Sequence, residues 1–572
     1  MNLKTTIDDA VTKALRKAGA KGSPAVVKPA ARAEFGHYQA NGVMGAAKKL
    51  GMNPRELAAR VIESLDLPQA ASTEIAGPGF INIHLDPAYL AEELARVRRD
   101  AMLGVARPAR QTIVVDYSAP NLAKEMHIGH LRTTAIGDAI VRISEFLGHN
   151  VIRVNHVGDW GAQFGRLLAY LDELDAVDTT TELKDLEKFY QHASARASAD
   201  PAFAARAREY VVRLQGGDAR CLALWQTFIE TSINHCQAVY DKMDITLTRA
   251  DLAPESSYND KLPVLIEDLR QKGILVESDG ALCVFLDEFK GKDGKPLPAI
   301  IRKSDGGYPY MATDLAAVQH RTQTLHADKA LYVVGAPQTL HFQQVFAVAR
   351  AAGYLDEKTD FRHLPFGNIL RPDGKMFKTR EGADVKLSDV ADEAVTRARE
   401  LVAAKNPDLS DSDKDEISRV VGIGAMKYAE LSKNRTTDYI FDWNTMLSFE
   451  GNTAPYLQYA YTRIRSVFKR AGVDADSLEG DITLTHENEI ALAMKLLQFP
   501  EALEAVTEDY QSNVLCGYLY ELSGIFMAFY EQCPILKADD ATRTSRLLLC
   551  DVAAKILKQG LGLLGISTVE QM

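Results

Sequence analysis

A strand–loop–helix–strand pattern between residues 112 and 154 constrains the fold of this chain more than any other feature. Residues 112–115 and 151–154 are short apolar runs of the kind found in strands buried on both faces. Between them, Pro120 breaks the chain, and residues 131–147 carry apolar side chains at helical spacing. The pattern predicts a βαβ unit with parallel strands, in which ligands bind at the carboxyl edge of the sheet.

The loop of this unit carries the tetrapeptide His127-Ile128-Gly129-His130 immediately before the predicted helix. Unpaired N–H groups and the positive dipole end of a helix attract anions, and Gly129 lets a ligand approach the backbone. Both histidines can donate hydrogen bonds to phosphoryl oxygens and stabilise charge that develops on a phosphate. The motif therefore predicts a phosphate site. The alternative is that the two histidines only cap the helix.

Length and composition predict a large globular protein. The 572 residues, 46% of them hydrophobic, should fold as roughly three or four domains. Six cysteines are scattered without a C-x-x-C pair, which favours reduced core residues over a zinc ribbon or a disulfide framework. The N-terminus shows no apolar signal region, and no apolar run is long enough to cross a bilayer. We therefore expect a cytoplasmic location and no membrane partner.

The net charge of −11 conceals two basic regions. Residues 1–60 contain eleven lysines and arginines against four acidic residues. A second cluster, Arg463, Arg465, Lys469 and Arg470, has no acid between its members. Two separate basic surfaces on an otherwise acidic protein would suit binding of an extended polyanion at a few separate contacts. For each cluster the alternative is a solvated helix face.

Changes of pattern along the chain divide it into six segments. We predict helices over 7–18 and 42–50, a helix from about His341, and strands over 80–85, 330–335 and 366–370, besides strand-rich stretches at 280–286 and 297–302. The segments are 1–105, an α+β domain; 106–170, the first half of a nucleotide-binding domain; 171–300, a mostly helical insertion; 301–370, its second half; 371–440, a lysine loop and the region after it; and 441–572, a helical domain.

Two further motifs belong with the histidines. Residues 155–163 directly follow the second strand and should lie at the same edge of the sheet. Residues 374–380 offer three cations beside a glycine turn, and mobile cations over a triphosphate would neutralise charge in a transition state. A solvated basic turn is the alternative for this second motif.

Together the two motifs resemble the signatures of class I aminoacyl-tRNA synthetases, a His-Ile-Gly-His tetrapeptide and a Lys-Met-Ser-Lys-Ser loop. The first is intact here, whereas the second departs from the pattern because Phe377 stands in the place of the first serine. Within that class the chain most resembles the arginyl-tRNA synthetase family, over nearly its whole length. The resemblance rests on residues 118–121, 155–163, 335–338 and 449–460, and on residues 35–41 and 78–82 near the N-terminus.

The resemblance implies an α/β multidomain fold: a class I Rossmann-type catalytic domain with an insertion like a connective peptide, an N-terminal domain that binds the tRNA elbow, and an all-helical C-terminal domain that binds the anticodon. Residues 371–440 would contain the lysine loop and a region that contacts the tRNA stem. The implied reaction is ATP-dependent activation of L-arginine to arginyl-adenylate and transfer to the 3′-terminal adenosine of tRNA(Arg), first at the 2′-hydroxyl. ATP would be a substrate accompanied by Mg²⁺, no metal would have a site of its own, and the chain would be a monomer.

The same resemblance assigns site residues to positions of this sequence. The catalytic residues would be Lys124, His127, His130, Lys375 and Lys378, and ATP would be bound by His127, Gly129, His130, Met376 and Phe377. Arginine would be bound by Ser118, Asn121, His130, Glu255, Tyr310, Asp314 and Gln338. The tRNA would be bound by Gln39, Asn41, Phe80, Asn82, Tyr456, Tyr459, Arg463 and Met572, the first four at a D-loop base.

Binding of the arginine side chain requires particular chemical groups, and these residues can supply them. A buried guanidinium needs carboxylates that accept its planar N–H fork, a geometry that rejects lysine. Glu255 and Asp314 are the candidates, and the i, i+4 spacing puts Tyr310 and Asp314 on one face if that segment is helical. The local sequence alone favours ordinary surface residues as the explanation of both acids, and only the resemblance reverses that preference.

The predicted tRNA contacts also have alternatives. A stacking ring with nearby amides can recognise a single base, but Phe80 can equally be a core residue and Asn82 a strand-edge residue. Tyr456, Tyr459 and Arg463 recur at i, i+3 and i+7, so they share a face suited to splayed bases. An aromatic stripe at helical spacing can instead belong to the core.

Two other functions are alternatives for this sequence. A nucleotidylyltransferase can share the histidine motif, but such enzymes are usually short single domains. A catalytically silent tRNA-binding relative would be expected to have lost His127, His130 or the lysine loop, and this sequence retains all three.

Overall fold

The computed structural model describes residues 2–174, 183, 185–291, 293–376 and 385–572. The predicted site residues Phe377 and Lys378 lie outside the described residues. Within them, no helix is long and apolar enough to span a membrane. All six cysteines are buried free thiols, which confirms their prediction as reduced core residues.

The N-terminal part is an antiparallel sheet covered by helices. The sheet has the order β1-β2-β4-β3, and in β4 Ile81 and Ile83 point into the core. Asn53 and Asp86 accept backbone N–H groups at helix starts that continue with proline, which explains why two of the helices begin where they do. The elements are α1 (Leu3–Lys17), β1 (Val27–Pro29), β2 (Tyr38–Ala40), α2 (Gly42–Leu50), α3 (Pro54–Glu63), β3 (Ala70–Ala76), β4 (Phe80–Leu85) and α4 (Pro87–Arg99).

The nucleotide-binding sheet is parallel, with the order β11-β10-β5-β6. Alternate residues face two cores: Val115 packs on the side of α5, and Val114 and Tyr332 pack on the other side. Pairing of β10 with β5, far apart in sequence, confirms the predicted sheet split by an insertion. The elements are β5 (Thr112–Asp116), α5 (His130–Phe146), β6 (Asn150–Val154), α11 (Tyr310–Gln323), β10 (Lys329–Tyr332), α12 (Thr339–Ala351) and β11 (Asp360–His363).

The insertion between the two halves is helical first and ends in a small antiparallel sheet with the order β7-β8-β9. Its longest described helix, α9, packs against the loop that precedes the histidines. The elements are α6 (Ala162–Leu171), α7 (Leu186–Ala199), α8 (Pro201–Gln215), α9 (Ala219–Lys242), α10 (Leu262–Gln271), β7 (Val276–Ser278), β8 (Ala281–Val284) and β9 (Ala299–Arg302).

The remaining chain is helical apart from one parallel strand pair, β12 with β13. Half-buried Arg98 of α4 pairs with buried Asp551 of α20, so the N-terminal part is tied to the last helices. The elements are β12 (Ile369–Leu370), α13 (Leu387–Lys405), α14 (Asp411–Leu431), β13 (Tyr439–Ile440), α15 (Trp443–Met446), α16 (Ala454–Ala471), α17 (Glu487–Leu497), α18 (Phe499–Asp509), α19 (Ser512–Gln532) and α20 (Asp540–Leu563).

Several predicted boundaries were wrong. Helix α1 starts at Leu3 because Asn2 caps it by accepting the Thr5 N–H. The strand predicted over 330–335 ends at Tyr332, and the strand predicted over 366–370 shrinks to Ile369–Leu370. Val333, Val334 and Phe366 are apolar but lie in loops, so apolar residues alone overestimated both strands.

Candidate active site

The loop between β5 and the histidines is held in an unusual conformation. Ser118 and Ala119 have φ angles of 69° and 46°, a left-handed region that costs free energy for residues other than glycine. Side chains compensate by accepting the two backbone N–H groups, from Ser118 by Thr133 Oγ1 at 3.0 Å and from Ala119 by Asn155 Oδ1 at 3.0 Å. The strained turn is therefore fixed by the helix on one side and the next strand on the other.

Tyr240 closes this network from the insertion. Its hydroxyl lies 2.7 Å from Ser118 Oγ, and it accepts Asn155 Nδ2 at 3.0 Å. The Ser118 side chain is buried and also accepts the Thr134 hydroxyl at 3.0 Å. Its hydroxyl thus already has protein partners, and contact between Ser118 and arginine stays a prediction. Tyr240 was not among the predicted site residues, because nothing local links a tyrosine in a helical insertion to this loop.

The two histidines form one compact unit. Their ring centroids are 4.1 Å apart, His127 Nδ1 accepts the Gly129 N–H at 3.1 Å, and His130 Nδ1 accepts the His127 N–H at 3.1 Å. Helix α5 begins at His130, one residue before the predicted start. A Cβ on Gly129 would lie 2.8 Å from the His127 ring, so a larger residue here would displace that ring.

Burial, followed by the neighbouring His127, lowers the pKa of His130 to about 3. The ring is therefore neutral at physiological pH. Nδ1 lies 3.1 Å from the His127 N and 3.3 Å from the His127 O, and the shorter contact, in which Nδ1 accepts the N–H, favours the tautomer with its proton on Nε2, a hydrogen-bond donor. The backbone contacts made by both rings fit the capping alternative, but they also fix the direction of a donor available to a phosphate oxygen.

The chain at residues 385–387, which follows the predicted lysine loop, is anchored to the histidine segment. Val385 O accepts the Ile128 N–H at 2.9 Å, and the N–H of Leu387 donates to Met126 O at 2.9 Å. Between them, Lys386 Nζ donates to Glu125 at 3.2 Å and to Asp185 at 2.8 Å. Residues 385–387 are thereby paired with the histidine segment, a contact that could not be predicted from the sequence.

The near end of the loop is a tight turn on β12. Leu370 and Met376 form an antiparallel bridge, and the Arg371 N–H donates to Lys375 O at 2.8 Å. Lys375 and Met376 are exposed there. Lys124 lies on the other side of the motif, with Nζ 4.4 Å from the centroid of the Tyr190 ring.

Asn121 and the segment after β6 meet as predicted. Asn121 bridges to Gly158, and the Leu122 N–H donates to Gly158 O at 2.9 Å. Asn121 is exposed at this edge. Gln338 is also exposed, in a short 3₁₀ helix that follows β10. Both amides thus stand at the carboxyl edges of neighbouring strands.

Acidic side chains meet beside this edge. Burial, then the charge of Asp314 and then that of Asp159, raises the pKa of Glu255 to about 8. Asp159 is buried and accepts both the N–H of Ser256 at 2.9 Å and its hydroxyl at 2.5 Å. Glu255 and Asp314 are therefore not ordinary surface acids, and the group can offer negative charge to a buried cation.

Asp314 lies on α11, which begins at Tyr310, so the predicted shared face of these two residues is confirmed. His341 Nε2 donates to Asp314 Oδ2 at 2.6 Å, while the Asp314 side chain is 17% exposed. Tyr310 is 63% exposed. One oxygen of Asp314 therefore has a protein partner, and the exposed ring of Tyr310 lies one helical turn earlier, at the start of α11.

The predicted D-loop residues lie on neighbouring strands of the N-terminal sheet. Gln39 and Asn82 face each other across β2 and β4, and Gln39 Nε2 donates to Asn82 Oδ1 at 2.7 Å. Asn82 is buried in a strand paired on both sides, so the strand-edge alternative was wrong. Phe80 is half-buried at the start of β4, and Asn41 immediately precedes α2.

Most of the predicted anticodon residues line one groove of about 890 Å³ in the helical region, together with Arg465 and Lys469. Arg463 lies 5.1 Å from the centroid of the Tyr459 ring and 5.2 Å from that of Tyr530. Met572 is at the wall of the same groove. Tyr456 instead packs on Tyr520, with ring centroids 5.7 Å apart, so the structure does not bring it together with Tyr459 and Arg463.

Comparisons with known proteins agree with this architecture. Family models match residues 1–85 (arginyl tRNA synthetase N terminal domain), 94–443 (tRNA synthetases class I (R), catalytic domain) and 457–572 (DALR anticodon binding domain). Arginine–tRNA ligases of Hahella chejuensis and Klebsiella pneumoniae are 54% and 53% identical, with each chain covered completely. The Plasmodium falciparum arginyl-tRNA synthetase structure has a TM-score of 0.87 at 29% identity, over 100% of this chain and 99% of its own. That of Thermus thermophilus has a TM-score of 0.82 at 26% identity, over the whole of both chains.

The split parallel sheet with histidines at its carboxyl edge, followed by a helical region, is the class I aminoacyl-tRNA synthetase architecture. Within that class, the chain belongs to the arginyl-tRNA synthetase family. It is a ligase, and its reaction is the ATP-dependent joining of arginine to tRNA. This excludes both alternatives considered from the sequence.

Proposed function

We propose that the residues at the carboxyl edge of the parallel sheet carry out this reaction as follows. The arginine carboxylate attacks the α-phosphorus of ATP and expels pyrophosphate. The adenylate then esterifies the 2′-hydroxyl of the terminal adenosine of tRNA(Arg) and releases AMP. No covalent enzyme intermediate is required, because positioning and electrostatic stabilisation supply the catalysis.

ATP binds against the histidine motif. His127 and His130 lie side by side at the start of α5, and the Nε2–H of neutral His130 donates to a phosphoryl oxygen. Gly129 leaves room for the nucleotide, and Met376 and Phe377 contribute to ATP binding. Lys124, Lys375 and Lys378 neutralise charge that develops as pyrophosphate leaves.

The acidic group around Glu255 carries the proposal for arginine. Carboxylates crowded by burial favour a cation between them, and the planar guanidinium matches two carboxylates better than an ammonium does. Asp314, oriented by His341, accepts one edge of the guanidinium and Glu255 accepts another, with Tyr310 at the entrance. Asn121 and Gln338 hold the α-ammonium and carboxylate, next to the Ser118 loop.

The tRNA contacts both ends of the chain. Gln39, Asn41, Phe80 and Asn82 bind a base of the D-loop, and Tyr459, Arg463 and Met572 bind anticodon bases in the groove that they line. Tyr456, which packs on Tyr520, lies outside the lining of that groove. The six segments bounded at residues 105, 170, 300, 370 and 440 then serve as elbow-binding domain, divided catalytic domain with its insertion, stem-contact region and anticodon-binding domain.

Mg²⁺ enters as part of the ATP substrate. Among the described residues, no group of three or more histidines, cysteines or acids could hold a metal ion. Mg²⁺ that accompanies a nucleotide is commonly held mainly by the phosphates. The enzyme works as a monomer in the cytoplasm.

A charging assay tests these roles. We expect the wild-type enzyme to attach labelled arginine to total tRNA, and the double variant His127→Ala/His130→Ala to lose at least about 100-fold in rate. The double variant Tyr459→Ala/Arg463→Ala should instead raise the KM for tRNA. Normal charging by the histidine variant would overturn the assignment of the phosphate site.

A further inference from the structure

Arg132 is a buried cation two residues after His130, in the first turn of α5. Its side chain is 1% exposed, and Nε donates to Oε1 of Glu430 at 2.8 Å. The Glu430 side chain is 0% exposed and belongs to α14. A completely buried ion pair is costly to form unless further hydrogen bonds satisfy both partners.

The other donors of Arg132 reach two separate segments of backbone. Nη1 donates to Thr437 O at 2.9 Å and to Asn368 O at 3.4 Å, and Nη2 donates to Arg435 O at 3.2 Å. The guanidinium also lies 5.2 Å from the centroid of the Tyr439 ring. These segments lead into β12 and β13, so one planar fork holds both strands of the pair.

The strand pair carries the lysine turn. β12 ends at Leu370, which pairs with Ile440 of β13 and accepts the N–H of Phe441 at 2.8 Å. From Leu370 the chain turns directly into the segment that bears Lys375, closed by the Arg371–Lys375 backbone hydrogen bond. A short, fully hydrogen-bonded path therefore connects the first turn of the histidine helix to the lysine turn.

We propose that Arg132, held by Glu430, is a positioning residue that sets the lysine turn relative to His127 and His130, so that both motifs act on the same ATP. The inference rests on the roles proposed above for the histidines and lysines. Lysine cannot replace Arg132, because an ammonium cannot donate to one carboxylate and three carbonyl groups in the fixed directions of the guanidinium.

ATP–pyrophosphate exchange with arginine and tRNA tests the proposal. Arg132→Lys should lower the maximal exchange rate by about 10- to 100-fold, as a small misplacement of catalytic groups does, with little change in the KM for arginine. The matched control is Arg142→Lys on the same helix, where Nε pairs with Asp138 at 2.7 Å and Nη2 donates to Asp244 O at 2.8 Å. That control should keep its exchange rate within about twofold of wild type, because neither of these partners belongs to the strand pair.

The decisive readout is non-additivity. In a Lys375→Ala/Lys378→Ala background, Arg132→Lys should lower the exchange rate by less than a further factor of about two, because the lysines that it positions have been removed. If the two losses multiply, Arg132 supports only the fold and the inference is overturned. If removal of both lysines leaves exchange unchanged, the proposed lysine role fails instead, so the two failures are distinguishable.

Glu430→Gln keeps the volume of the side chain and provides the same test should Arg132→Lys fail to fold. It leaves Arg132 without its charge partner, and we expect a several-fold loss of exchange that again disappears in the lysine-free background. Full exchange activity in Glu430→Gln would also overturn the inference.

Discussion

The carboxyl group of Glu255 is within range of the charge of Asp314, and burial, followed by that charge, raises the pKa of Glu255 to about 8. Without a ligand, Glu255 is therefore mostly protonated at pH 7. A guanidinium bound between the two acids would stabilise the ionised carboxylate and lower this pKa. The relationship between the two residues couples arginine binding to release of a proton.

Arginine affinity should accordingly increase with pH. Below about pH 8 the free enzyme must lose the Glu255 proton on binding, so the Kd for arginine should fall by up to about tenfold per pH unit between pH 6 and 8 and then level off. Titration calorimetry in buffers of different ionisation enthalpy measures both the Kd and the proton released.

Glu255→Gln should abolish this pH dependence, and Glu277→Gln, an exposed acid on β7, should leave it intact. A Kd that does not vary with pH in the wild type, or a slope that survives in Glu255→Gln, would contradict the proposed pairing.

Asp314→Asn should act on arginine binding rather than on the chemical step. The variant removes a charge paired with the guanidinium, at a cost of about 2–5 kcal/mol for a buried pair, which raises the KM for arginine by at least about 30-fold. Asp279→Asn is the matched control, since Asp279 is exposed at φ 51°, a conformation that asparagine tolerates. An unchanged KM in Asp314→Asn would return this residue to a structural role with His341.

His130→Ala should lower the rate of adenylate formation by roughly 10²-fold or more, because the Nε2–H hydrogen bond strengthens as charge develops on the phosphate. Arginine affinity should change little. His326→Asn serves as control, since His326 is exposed, has a left-handed backbone conformation and does not belong to α5. Pre-steady-state measurement of adenylate formation makes the comparison, and a normal rate in His130→Ala would refute its role.

Phe80→Ala should weaken tRNA binding without changing its salt dependence. Loss of a stacked base costs about 1–3 kcal/mol, whereas the slope against salt reports phosphate contacts. Filter binding at several salt concentrations separates the two effects. Leu50→Ala, an exposed side chain of the same domain, should be neutral; equal affinities for both variants would remove Phe80 from the interface.

Deletion of residues 1–105 is a less direct test of that interface than a point variant. Glu501 accepts the Lys4 N–H at 3.0 Å and also the Tyr38 hydroxyl, and Asp551 pairs with Arg98. Removing the domain would take these two partners from Glu501 and leave Asp551 paired with Lys555 alone, at a cost in stability.

The elements predicted correctly are those whose residues carry a strong local signal. Strand β5 was predictable because Val114 and Val115 are apolar and buried on opposite faces of the sheet. Strand β3 was missed because its alanine, serine, threonine and glutamate residues are partly exposed and show no alternation of apolar and polar residues. It forms because β4 offers it a partner, which is information from distant sequence.

The site residues also fall into those predictable from local sequence and those that depend on distant segments. The histidine and lysine motifs are contiguous and could be identified from the sequence, but Tyr240, Lys386 and Arg132 act through contacts with remote segments. Helical spacing placed Tyr456 with Tyr459 and Arg463, yet a helix packed on several sides sends residues of one stripe to different neighbours, here Tyr520 and the groove. Spacing predicts a shared helix face but not what packs against it.

The most direct test of the central claim is ATP–pyrophosphate exchange with each amino acid in turn and with citrulline, whose neutral urea group replaces the guanidinium. We predict that arginine alone supports exchange, that exchange requires tRNA, and that citrulline fails in the wild type because it carries no charge for Glu255 and Asp314. Robust exchange with another amino acid and none with arginine would contradict the specificity, and equal exchange with citrulline would contradict recognition through the acidic pair.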